Sequence, residues 1–144
     1  MHVWRLIAHD KEPDTAINWF RASSRIAIGW GWTGDLRHLH GPKEIRELIE
    51  QEYPTLNNAG HGGASLWRLY DRVRIGDLVI VSDGKRRRMV MRVTGDYQFA
   101  SVPPPGLGDY LHQRPAEYVE RDPDQLWTEP AAGENIRWTL LRIR

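Results

Sequence analysis

The residues in this chain best suited to chemistry are aromatic and basic rather than nucleophilic. Ile26-Ala27-Ile28-Gly29-Trp30-Gly31-Trp32-Thr33-Gly34-Asp35-Leu36 opens as an alternating strand, then breaks into glycines that hold out two tryptophans. An indole is costly to expose and a glycine is costly to order, so a Gly-rich loop carrying Trp30 and Trp32 needs a reason. One reason is a stacking platform for a flat ligand. The other is that both rings plug the end of a small barrel, as most tryptophans are heavily buried. Trp30 continues the alternation of Ile26 and Ile28 and faces inward, whereas Trp32 sits within the turn.

Other candidates are sparser. His9 and Asp10 follow the first strand-like run, but Ser23, Ser24 and Ser65 sit in no recognisable nucleophile context. There is no GxSxG, Walker loop, HExxH or dinucleotide fingerprint, so no catalytic set is expected. His38, His40 and His61 are too loosely spaced to argue a zinc site, and no metal or cofactor is expected. The absence of cysteine excludes disulfides, Cys-ligated zinc and a thiol nucleophile. Lys85-Arg86-Arg87-Arg88 is a compact basic run on a chain of net charge +1. Its charges either solvate a tight turn or contact phosphate, which would add affinity without sequence specificity.

These residues must be positioned by a small number of elements. Val3–Ala8 reads as a first strand, a helix runs from Asp14 or Thr15 to Phe20, and Ile26–Gly29 is a second strand. Ile45, Leu48 and Ile49 share one face of a helix over Lys43–Glu52, which Pro54 ends. Asn57–Gly63 reads as loop and Ala64–Tyr70 as a further helix. Leu78–Val81 is a strand, Asp83-Gly84 a hairpin turn and Arg88–Val93 its return. Val102–Gly108 and Asp122–Gly133 read as loops. Tyr110–Arg114 and Ala116–Glu120 give one or two strands around Pro115, and Asn135–Ile143 a last one. With 144 residues, 40% hydrophobic, the pattern predicts a single α+β domain over 1–144. It is a small β-barrel of five to six strands flanked by two to three helices. No stretch approaches the ~18 apolar residues of a membrane span, and nothing resembles a signal peptide, so a cytoplasmic protein without membrane partners is expected.

The order of these motifs resembles the PUA-like superfamily. It is most similar, in its EVE and YTH branch, to the EVE-like modules of modification-dependent restriction endonucleases. The likeness rests on Trp4–Ala8, the Ile-Gly-Trp-x-x-x-Gly-Asp-Leu stretch from Ile28, Ile75-Gly76-Asp77-Leu78-Val79, Val93–Tyr97 and Arg114–Glu120. It implies a non-catalytic module that takes a modified nucleobase, flipped from a duplex or taken from a single strand, into an aromatic cage. Modified cytosine or N6-methyladenine in DNA is the expected ligand, with a separate or fused nuclease as effector. By position, Trp30 is the stacking residue, Trp32 a second wall or lid, and His9 and Asp10 read the base edge. Asp35 fixes the loop or accepts from an exocyclic amine, with Ser82 and Asp83 as further candidates. Phe99–Gly108 contains no tryptophan, so either Tyr97 or Phe99 supplies the remaining wall or the pocket is built differently. Apart from the resemblance, Lys85, Arg86, Arg87 and Arg88 are the candidate phosphate contacts on charge alone. The alternatives are a PUA-like RNA-binding module and a small nucleoside or amide hydrolase similar to the ASCH branch.

Overall fold

A computed structural model describes residues Met1–Arg144. Seven strands and four helices form an α+β fold in which a mixed sheet curls into a half-barrel. In chain order these are β1 (Val3–Ile7), α1 (Pro13–Ser23), β2 (Arg25–Ile28), α2 (Pro42–Glu52) and α3 (Ala59–Trp67). β3 (Leu78–Ser82), β4 (Arg87–Val93), β5 (Gln98–Phe99), β6 (His112–Val119), α4 (Pro123–Leu126) and β7 (Leu140–Arg142) follow. The sheet order is β2-β6-β4-β3-β1-β7, with β5 paired to β6. Only β1 and β3 run parallel.

The strands β1 and β3 are buried on both faces, as is the middle of β4 over Met89–Met91, which explains the unbroken apolar run Leu78-Val79-Ile80-Val81. Val79 and Val81 join Trp4, Leu6, Met89 and Met91 in the main core, under α1, α2 and α3. Leu78, Ile80, Val90 and Leu141 enter a smaller core on the other face, with Leu126 of α4 against them.

The curl comes from β6. Its first half, His112–Pro115, pairs with β2 and β5, and its second half, Ala116–Val119, pairs with β4. Pro115, around which the sequence allowed one or two strands, lies inside this one continuous strand, where the partner changes. Its missing N–H is therefore no loss there.

Two further readings need correction. The segment Asn57–Gly63 is not loop: α3 begins at Ala59 and runs through the glycines. A Cβ on Gly62 would lie 2.6 Å from Ile49 Cδ1 and 2.9 Å from the Trp30 ring, so glycine there lets α3 approach α2 and the tryptophan turn closely. After Trp67 the chain winds one wider turn over Arg68–Arg72 before leaving the helix. The other correction is Asp122–Gly133. Asp122 caps α4 by accepting the Asp124 N–H at 2.8 Å, and buried Leu126 anchors that short helix.

Candidate base-binding cleft

The tryptophan turn is set by a buried relay. Trp30 has φ of +59°, a left-handed conformation that costs a bulky side chain roughly 1–3 kcal/mol. Its carbonyl accepts from Thr33 Oγ1 at 2.9 Å and from His112 Nε2 at 3.1 Å. Tyr97 O–H donates to His112 Nδ1 at 2.7 Å, and its oxygen accepts the Leu36 N–H at 3.2 Å. That chain fixes the proton of His112 on Nε2. His112 is fully buried, and desolvation pushes its pKa down to about 4, so the ring is neutral near pH 7. A Cβ on Gly31 would clash with the Asp109 carbonyl, so the turn packs directly on the backbone entering β6.

Beside this turn lies a cleft of about 380 Å³. Ile7, His9 and Asp10 come to it from the end of β1, and Ile28, Gly29 and Trp30 from the end of β2. Tyr53, Leu56, Asn58 and His61 close it from the α2–α3 corner. Asp109 and Tyr110, before β6, and Arg137 and Thr139, before β7, complete the lining. The volume lies in the range of small-molecule sites, and aromatic faces with a few polar groups suit a flat heterocycle.

Within the cleft, the His9 ring lies against Tyr110 with centroids 4.8 Å apart and planes tilted by 33°. His9 Nδ1 accepts the Glu12 N–H at 2.9 Å and the Lys11 N–H at 3.1 Å. A neutral His9 therefore carries its proton on Nε2, as a donor. Tyr53 O–H donates to the Asp109 carboxylate, and its oxygen accepts the Trp32 N–H at 3.0 Å. Burial, then that carboxylate, pushes the Tyr53 phenol up, so it stays protonated. Burial does the same to Tyr110.

Of the sequence candidates, Trp30, His9 and Asp10 line the cleft together. Trp32 stands outside it, 65% exposed, with its ring stacked on Tyr53 at 4.9 Å and 8°. Tyr97 is not a wall of this cleft: it is 6% exposed and lies behind His112 in the relay. Phe99 packs on His112 at 5.4 Å and likewise does not line it. Asp35 is held by Arg37, whose hydrogen bonds keep the carboxyl below its usual range.

Ser82 and Asp83 are also elsewhere, shaping the β3–β4 turn. Ser82 Oγ accepts the Gly84 N–H at 3.0 Å, and Asp83 accepts from Arg86 N at 2.7 Å and Lys85 N at 2.8 Å. Those backbone bonds bring the Asp83 carboxyl down to about 2. In the basic run, Arg87 pairs with Asp124 at 3.0 Å and lies over the Trp127 ring. Arg88 pairs with Asp14 at 2.8 Å and Asp83 at 3.1 Å, leaving Lys85 and Arg86 as its unpaired charges.

Sequence reading missed Tyr53, Asn58, Asp109, Tyr110 and Arg137. Tyr53 read only as a helix end and Tyr110 only as a strand residue. The signal that singles them out is spatial, since their positions in the chain carry no shared motif.

The model of a domain family described as a domain of unknown function (DUF8426) matches residues 4–139, so the chain belongs to that family. No curated protein and no solved structure matches it.

Proposed function

We propose that this DUF8426 domain is a reader of modified nucleobases, built on a PUA-like barrel of the EVE and YTH type, and that the cleft beside Trp30 takes one extruded base. The observation that carries this reading is the meeting of Trp30, Tyr110 and His9 around one open cleft of about 380 Å³. A base out of its stack loses its neighbours, and aromatic side chains return roughly 1–3 kcal/mol per base. The His9 Nε2–H is a donor for a ring nitrogen or carbonyl on the base edge. Asp10 and Asp109 are acceptors for an exocyclic amine. The exposed face of Trp32 suits stacking of the adjoining base. An added methyl or hydroxymethyl group fills apolar space beside Ile7, Ile28 or Leu56, which is worth about 1–3 kcal/mol of preference.

The test is titration of labelled oligonucleotides carrying plain, methylated or hydroxymethylated cytosine, or N6-methyladenine, in single- and double-stranded form. The expected result is preference for one modified base by roughly tenfold, abolished in Trp30→Ala and in Tyr110→Ala. Equal binding of all the oligonucleotides, unmoved by either substitution, would refute the reading. Selective binding of structured RNA would replace DNA as the target, and conversion of a modified nucleoside to product would make the cleft an active site.

A further inference from the structure

A second cleft, of about 540 Å³, lies at the other end of α3. Arg68, Arg72, Arg74 and Arg142 line it with His2, and Glu134 is its one acidic residue. Glu134 is already engaged: its carboxylate pairs with Arg68 and accepts the Arg142 N–H at 2.9 Å. Arg74 and Arg142 have no acidic partner, and Arg72 has only its exposed neighbour Asp71 at 3.5 Å. The cleft thus carries four arginines against one glutamate in a chain whose net charge is +1. A concave, low-dielectric wall concentrates the field of such charges. By contrast, half of the Lys85–Arg88 run is spent on ion pairs within the molecule.

The two clefts share their walls. α3 and the residue before it supply His61 and Asn58 to the first, and Trp67 and the following Arg68 line the second. The segment before β7 supplies Arg137 and Thr139 to the first, and Ala132, Gly133 and Glu134 to the second. Buried Ser65 binds the two walls between the clefts, its Oγ accepting the Leu140 N–H at 3.1 Å. His61 and Arg68 are two helical turns apart, which is about 10 Å along the axis. At roughly 3.4 Å per nucleotide of stacked strand, that spans about three nucleotides.

We infer that the arginine cleft is a phosphate-backbone site, and that it holds the strand flanking the base whose ring enters the aromatic cleft. The inference rests on the base-reading proposal for the identity of the ligand, but its observable is separate. Guanidinium groups meet phosphate oxygens with two parallel donors, and they do so irrespective of base. Arg72, Arg74 and Arg142 therefore set the affinity and its salt dependence, while the aromatic cleft sets the preference among bases.

The experiment uses a labelled single strand, unmodified or carrying one methylated cytosine, titrated over a range of salt concentrations. The proteins are the wild type, Arg74→Gln/Arg142→Gln, Lys85→Gln/Arg86→Gln and Trp30→Ala. The first double variant is expected to flatten the slope of log affinity against log salt by about 1–2, equally for both strands. Its ratio of modified to plain binding stays at the wild-type value. The hairpin variant leaves the slope unchanged, and Trp30→Ala loses the ratio while keeping the slope. A wild-type slope in Arg74→Gln/Arg142→Gln overturns this inference alone. Loss of slope there, with a ratio that Trp30→Ala does not alter, supports the backbone site and sinks the base reading. Equal competition by polyglutamate would overturn the assignment to phosphate, and no binding of either strand by the wild type would overturn both.

Discussion

Trp30 takes a backbone conformation that bulky residues seldom adopt, and it is kept there by a histidine with no exposure to solvent. His112 donates to the Trp30 carbonyl from Nε2 and accepts from Tyr97 at Nδ1, and the second bond needs the lone pair of a neutral ring. In the unfolded chain a histidine titrates near 6.5, whereas burial brings His112 to about 4. Between those values the unfolded state binds the proton and the folded state does not. Stability from this group is therefore complete above pH 6.5 and is lost as pH falls toward 4, on the order of 3 kcal/mol in all. Urea denaturation across that window should show a steeper decline in the wild type than in His112→Gln. Equal slopes would mean that the ring is not held neutral. Trp32 behaves differently, since its exposed ring contributes little to the core, and Trp32→Ala should leave the unfolding midpoint nearly unchanged.

The helix α3 shows how an element can contradict its own composition. Glycine lowers helix propensity, so a run rich in Gly between Asn57 and Gly63 reads as loop. Glycine is suited to the helix there because a Cβ on Gly62 would press on Ile49 and Trp30, and one on Gly63 on Arg46 and the Pro42 carbonyl, so a side chain would push α3 off α2. Gly62→Ala is expected to destabilise the fold by about 1–3 kcal/mol through overpacking and to weaken base binding by displacing Trp30. Gly60, in the same helix, meets nothing within 4 Å. Gly60→Ala should stabilise by roughly 0.5–1 kcal/mol, and thermal unfolding of the pair would separate the two effects. The β3–β4 hairpin is the converse case. Asp83-Gly84 was legible as its turn, and Asp83 itself pairs with Arg88, but Asp124 of α4 and Asp14 of α1, which pair with Arg87 and Arg88, lie far away in sequence.

At the scale of the whole molecule, two buried polar side chains join distant parts of the chain. Asp77 accepts from His2 N, Trp4 Nε1 and Arg74 N, each at 2.9 Å, which fixes the start of β1 beside the start of β3. Arg114, 2% exposed, donates to the carbonyls of Gly95 at 2.8 Å, Leu69 at 2.9 Å and Val73 at 2.8 Å. It ties β6 to the turn after α3 and to the bend between β4 and β5. Arg114→Met removes the donors and leaves three carbonyls poorly satisfied, at an expected cost of roughly 3 kcal/mol in denaturant unfolding. A loss under about 0.5 kcal/mol would show that water replaces the guanidinium.

The sequence by itself determined most of the strands, two of the helices and the tryptophan turn, although the last strand covers only Leu140–Arg142 of the expected Asn135–Ile143. Each of these is encoded in neighbouring residues, as alternation, helical spacing or turn chemistry. It also brought His9, Asp10 and Trp30 forward, because each follows directly on a legible strand. Only the tertiary structure decided that Tyr110 and Tyr53 complete the cleft while Tyr97 stands behind it. Those choices depend on which strand β6 lies against and on where the α2–α3 corner comes to rest. Likewise, the sequence marked Lys85–Arg88 as the basic site because its charges are adjacent in the chain. The fold pairs two of those charges and gathers Arg72, Arg74 and Arg142 in a cleft, since the field a ligand meets depends on distance in space and on which acids lie close enough to cancel it.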